Sequence, residues 1–226
     1  MRITKDHIIK AVRLVIDERS KDYSEDYSED MEEEIWEACR HAIAQLSMEL
    51  PLSLLRFKVP DYSTMSLTGN TDGSGELTLP SDFVRLVALR LVGWHQTLYE
   101  TSDPGSEPLL MQASRWGRGN GDKPVGVILG KGDTLQRERV LKYWSGTPTG
   151  SGYRHVLEYF AYVPSAIQSD EAEELDAPIT ESGWSAIVYR TAALYATGKK
   201  DTALAQAFMT ISNYGHGMPS GQTETK

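Results

Sequence analysis

The sequence predicts an α+β protein, a helical bundle drawn from N- and C-terminal helices with an antiparallel β subdomain inserted between them. Three observations carry that expectation. Apolar residues recur at helical spacing near both chain ends, residues 153–162 alternate with a period of two, and Glu76-Leu-Thr-Leu-Pro-Ser-Asp-Phe-Val-Arg-Leu-Val-Ala-Leu-Arg-Leu91 reads as strand, turn and second apolar run.

The first helix is expected over residues 4–19, where Ile8, Ile9, Val12, Val15 and Ile16 share a face. Thr4 is placed to cap it, and Asp6 sits in the first turn, where the helix dipole favours an anion. Asp22-Tyr-Ser-Glu-Asp-Tyr-Ser-Glu-Asp30 follows, an acidic tandem repeat too short to be a solenoid unit and read as a solvated loop. The second helix is expected from about residue 30, with Glu33 at the N3 position of a capping-box-like start and Met31, Ile35, Cys39, Ala42, Ile43 and Leu46 as its buried stripe. Trp36 lies beside the stripe, where it either extends the core or faces a neighbouring subunit. Pro51 ends the helix near residue 49, because the residue before proline avoids helical angles.

Residues 64–75 are polar and glycine-rich, the composition of an exposed loop or hinge. Strands are then expected at 77–79, 83–91, 125–129, 140–144 and 153–162, enough short segments for an antiparallel sheet or small barrel. A helical turn is read at 109–114 and a loop at 116–122. Pro178 opens the C-terminal helices. Trp184, Ile187, Val188, Thr191, Ala192 and Tyr195 make one face, Gly198 is assigned the left-handed position after the helix, and Asp201 caps the next. The expected organisation is therefore an N-terminal helical half at 1–63, a hinge at 64–75, a β-rich insertion at 76–165, a C-terminal helical half at 166–215 and an extended tail at 216–226.

Composition narrows the function. Hydrophobic residues make up 40% and mean hydropathy is -0.40, as in ordinary folding domains. No apolar run approaches the roughly 18–20 residues that cross a bilayer, so no membrane partner is expected, and cytoplasmic synthesis is. A net charge of -9 opposes a tight grip on phosphate backbones, yet keeps a polyanion from adhering to a wall it must slide past. Cys39 is the single cysteine and is read as a small buried hydrophobe.

Reactive constellations are not expected. The glycine stretches Gly117-Arg-Gly-Asn-Gly121 and Gly130-Lys-Gly-Asp-Thr134 lack the spacing that cradles a phosphate and read as hairpin turns. His7, His41, His95, His155 and His216 fall in separate elements without metal-ligand spacing. No nucleophile elbow is present, and acidic runs such as Asp170-Glu-Ala-Glu-Glu-Leu-Asp176 read as solvated faces. The expectation is no enzyme, with no catalytic residue, cofactor or metal assigned. Arg115-Trp-Gly-Arg-Gly-Asn-Gly-Asp-Lys123 combines basic and aromatic groups that engage either a nucleic acid or a protein, and the protein contact is preferred because tryptophan and arginine anchor interfaces. The candidate partner contacts are Trp36, Arg115, Trp116, Arg118, His216, Met218 and Pro219.

The order of elements resembles the head-tail connector (adaptor or ring) proteins of tailed bacteriophages, including short-tailed and crAss-like phages. The likeness rests on the helical half ending near Pro51, on Glu76-Leu-Thr-Leu-Pro-Ser-Asp-Phe-Val-Arg-Leu, on Tyr159-Phe-Ala-Tyr-Val-Pro164, and on Ser185-Ala-Ile-Val-Tyr-Arg-Thr-Ala-Ala-Leu-Tyr-Ala-Thr-Gly-Lys-Lys-Asp-Thr-Ala-Leu-Ala-Gln-Ala-Phe208. The resemblance implies a structural virion protein at the head–tail junction. It implies a homo-oligomeric ring of about twelve copies, the portal protein on one side, a further ring or tail protein on the other, and phage DNA passing through the lumen without sequence-specific binding. The tail from His216 is expected to order on binding its neighbour. Acidic residues at 22–34 and 170–176 are the candidates for lining the channel. The alternative is a stand-alone glycan- or peptide-binding module using Tyr143, Trp144, Tyr153, Tyr159 and Tyr162.

Overall fold

The computed structural model describes residues 1–19, 29–114, 117–131, 138–169 and 173–214. In chain order the elements begin with β1 (Arg2–Thr4), α1 (Lys5–Arg19), α2 (Glu29–Glu49), β2 (Leu67–Gly69), β3 (Ser74–Thr78), β4 (Phe83–Leu91) and α3 (Glu107–Leu110). They continue with β5 (Val125–Lys131), β6 (Glu138–Trp144), β7 (Thr147–Thr149), β8 (Gly152–Arg154), β9 (Leu157–Pro164), β10 (Ile167–Ser169), β11 (Glu174–Asp176), α4 (Trp184–Gly198) and α5 (Thr202–Tyr214). The fold is α+β, and the chain divides into two units, one built from residues 1–56 and 165–226, the other from 57–164.

The helical unit is organised around α4, which packs against α1, α2 and α5. Ala186, Ala192, Ala193 and Ala196 are buried along α4, and such short side chains let neighbouring helices approach closely. Ile8, Ile9, Val12 and Ile16 of α1 and Ile35, Cys39, Ala42, Ile43 and Leu46 of α2 supply the opposing apolar faces, all at most 3% exposed. Thr4 Oγ1 accepts a hydrogen bond from the His7 amide at 3.3 Å, capping α1. Among the described residues, one charged side chain is buried in this interior. Arg190, only 4% exposed, donates to Gln45 Oε1 and Asn213 Oδ1 at 3.1 and 3.0 Å and pairs with Glu49 at 2.8 Å, linking three helices.

Two details of this unit depart from the sequence expectation. Gly198 ends α4 in a helical conformation, and the left-handed residue is Lys200, with φ 64°. The Asp201 amide reaches back to the Ala196 carbonyl at 3.0 Å, which makes Lys200 the turn residue of a Schellman-type stop. Asp201 then caps α5 through its carboxylate, which accepts from the Leu204 amide at 3.0 Å. The second departure is a three-stranded antiparallel sheet, β1-β11-β10, in which β1 runs into the segment read as helix start and β11 lies in the acidic run. Leu175 faces inward at 3% exposure while Glu174 and Asp176 flank it, so period-two burial organises what composition alone presents as a solvated stretch.

The β unit contains a four-stranded antiparallel sheet in the order β2-β3-β6-β5, the pair β4-β9 and the hairpin β7-β8. Leu77, Leu86, Leu89, Leu91, Trp94, Leu141, Tyr143, Phe160 and Tyr162 form its core. The expected hinge at 64–75 is corrected. β2 pairs with β3, and residues 70–73 close a tight turn in which Asn70 N donates to the Ser74 carbonyl at 2.8 Å and Gly73 takes φ 84°. The expected single strand at 153–162 is two strands, β8 and β9. Between them His155 turns inward, its Nδ1 2.8 Å from the Tyr143 hydroxyl and its Nε2 3.2 Å from the Asn70 carbonyl, and that pair of bonds interrupts the extended run.

Candidate functional site

Part of the basic, aromatic stretch borders a cleft. Arg118 and the following Gly119, Asn120 and Gly121 line a cleft of about 630 Å³ in the β unit, beyond the end of the four-stranded sheet. Four chain segments converge there: the β2–β3 turn, the turn at 111–114 that follows α3, the Arg118 loop, and the β6–β7 connection with the β7–β8 hairpin.

Each wall is fixed by short-range bonding. Asp72 Oδ1 accepts from the Ser74 amide at 3.0 Å and the Ser74 hydroxyl at 2.6 Å, while Oδ2 accepts from Arg118 Nη2 at 2.5 Å. Those bonds, from Ser74 first and Arg118 second, hold the Asp72 carboxyl well below the usual carboxylate range. Gln112 is buried and holds the Arg118 loop: its Nε2 donates to the Pro108 carbonyl at 2.7 Å and its Oε1 accepts from the Gly119 amide at 2.8 Å. Asn120 Oδ1 accepts from the amides of Asp122 and Lys123 at 2.9 and 3.0 Å, an Asx turn that orients the side chain. Tyr153 remains 40% exposed and lies over Gly73, where a β-carbon would sit 2.8 Å from its ring.

Ser145 is the strained member. Its φ is 122°, a region that disfavours any residue with a β-carbon, and among the described residues its buried Oγ has no hydrogen-bond partner. Its backbone is pinned instead: the amide donates to the Gly73 carbonyl at 3.1 Å, and the carbonyl accepts from Trp94 Nε1. Gly119 packs so closely on it that a β-carbon there would lie 2.9 Å from the Ser145 hydroxyl oxygen.

The remaining sequence-assigned contacts separate. Trp36 is 2% exposed and belongs to the core of the helical unit, which corrects its assignment as a partner contact: its ring is spent on packing, with Arg40 stacked at 5.6 Å. Arg115, Trp116, His216, Met218 and Pro219 lie outside the described residues. Of the aromatics offered for a glycan or peptide surface, Tyr143, Trp144 and Tyr162 are at most 7% exposed and serve the core, which leaves Tyr153 and Tyr159 at the surface. Of the acidic candidates for a channel wall, Glu32, Glu33 and Glu34 pair with Arg13, Lys5 and Lys199.

Asp72, Gln112 and Ser145 are cleft residues that sequence reasoning missed, whereas Tyr153 was named, but only as one aromatic of the alternative glycan or peptide surface. Asn70-Thr-Asp-Gly73 carries a turn signal that would have brought Asp72 and Gly73 to a hairpin tip, but their meeting with Arg118 depends on long-range pairing that periodicity does not encode.

Two other concavities compete less well. A groove of about 820 Å³ in the helical unit is lined by Glu33, Glu34, Glu37, His41, Tyr195 and Lys199, yet its glutamates are already paired, Glu37 with Arg40. A smaller one of about 560 Å³ surrounds Lys58, Asp82 and Tyr162, which bond one another. Among the described residues no group of three His, Cys, Asp or Glu converges as a metal site, and no helix is long and apolar enough to cross a membrane. No family model matches the chain, and no curated protein matches it.

Proposed function

We propose that this chain is a structural subunit of a tailed-phage head–tail connector, one copy in a ring of about twelve between portal and tail through which the genome passes. The observation that carries the reading is the order of elements. Both chain ends contribute to one helical unit, a β unit is inserted between residues 56 and 165, and the alanine-rich hairpin of α4 and α5 closes the chain. A closed ring needs each subunit to offer two different complementary faces, and the helical unit offers apolar anchors on separate elements: Leu14 on α1, Met48 on α2 and Ile167 on β10, all more than 60% exposed. The overall charge of -9 suits a lumen that DNA must traverse without adhering.

In this reading the protein resides at the head–tail junction of the virion, contacts the portal on one side and a further ring or tail protein on the other, and has no chemical step to perform. Light scattering of the purified chain with and without portal protein tests it. The expected result is a rise in mass to a multi-copy ring complex when portal is added; two species that stay separate at every ratio would refute it.

A further inference from the structure

We propose that the cleft of the β unit is a saccharide-binding site taking one or two sugar rings. The inference goes beyond the ring reading and does not depend on it, since one copy of the chain supplies every wall.

The chemistry of the walls selects the ligand class. Arg118 and Asp72 enter the cleft as a bonded pair, so the site presents donors and acceptors with little net charge. A phosphate or carboxylate ligand would face Asp72 as well as Arg118, and three of the glycine amides that could otherwise nest an anion are already committed: Gly73 to the Asn70 carbonyl, Gly119 to Gln112, Gly146 to the Gly73 carbonyl. Among the described residues the cleft offers a ligand Arg118 beyond its Nη2 bond, the Asn120 Nδ2 group, the Tyr153 hydroxyl and the half-exposed Tyr153 ring. Planar side chains that offer paired hydrogen bonds, set beside an aromatic face, match a sugar's adjacent hydroxyls and the C–H face of its ring. The volume of about 630 Å³ lies within the range of small-ligand sites.

The local costs point the same way. Ser145 keeps a β-carbon where glycine would be relaxed and a buried hydroxyl without a described partner, directly against Gly119. Strain of this kind persists where surrounding structure imposes it, and it concentrates at ligand sites. Here it fixes the spacing between the Arg118 loop and the β6–β7 connection.

The test is a two-dimensional amide NMR titration of the full-length protein with glucose, galactose, mannose, N-acetylglucosamine and maltose in turn, and separately with inorganic phosphate. The expected result is a saturable shift with at least one saccharide, confined to Gly73, Gly119, Asn120, Gly121, Gly146 and Tyr153, with phosphate inert at those residues. Tyr153→Ala and Arg118→Met, each shown by its spectrum to be folded, are expected to weaken that saccharide by about tenfold or more, on the order of 1.4 kcal/mol. No saturable shift with any of the five saccharides would overturn the proposal. So would phosphate binding at the same residues, or saccharide affinity unchanged in both variants.

Discussion

At Ser145 two unfavourable features meet on one residue, a φ of 122° and a buried hydroxyl lacking a described partner. Replacing it with glycine removes both, against the larger backbone entropy that glycine brings to the unfolded chain. Ser145→Gly is therefore expected to raise unfolding free energy by about 1 kcal/mol in chemical denaturation; a loss of stability would show that the hydroxyl has a stabilising role. Asp72 and Asp82 give the β unit an acid dependence. Ser74 and Arg118 lower Asp72; at Asp82 burial works upward, but bonds from Tyr162 and Lys58 outweigh it and the net shift is downward. The folded state thus binds fewer protons than the unfolded chain, so this contribution is present above about pH 4 and is lost as the pH falls below it. Because Asp72 is half exposed, its share is expected to be at most about 1 kcal/mol. Thermal melts across that window should show the decline, and Asp72→Asn should flatten it; an unchanged slope would remove Asp72 from the account. Cys39 behaves oppositely, since burial pushes its thiol up to about 12 and keeps it unreactive while the helical unit is folded.

Among the elements, α4 matters most because it touches every other long helix, and Arg190 is its one buried charge. Truncating Arg190 to alanine removes three side-chain partners and the packed methylene stem, and is expected to cost about 2–4 kcal/mol. Methionine keeps the stem and avoids burying a guanidinium, so Arg190→Met is expected to stay within about 1.5 kcal/mol of the parent. Equal losses in both variants would mean that the polar links dominate. The helices were legible in the sequence because burial follows their 3.6-residue period: Ile8, Val12 and Ile16, or Ile35, Cys39 and Leu46, announce themselves. The longest strand, β4, was legible to the residue through its run of apolar side chains. Short strands were not. β1, β2, β10 and β11 have three residues each, too few for a period to show, and they exist because distant partners supply their hydrogen bonds. The cleft was legible at Arg118 and its glycines, and at Tyr153 as an aromatic offered for a glycan or peptide; Asp72 and Ser145 reach it through strand register, which is a property of the folded chain.

For the whole molecule, the division into units follows from chain order, with one continuous segment making the β unit and both ends making the helical unit. The proposed ring subunit is compatible with that arrangement, both ends forming one unit and a single insertion forming the other. Assembly is the property on which the account stands. The most direct measurement is electron microscopy of the purified chain mixed with portal protein. The account predicts annular particles with a central hole, stacked coaxially on the portal and containing many copies of the chain. Portal particles bare of added density, beside dispersed single copies of the chain, would contradict it.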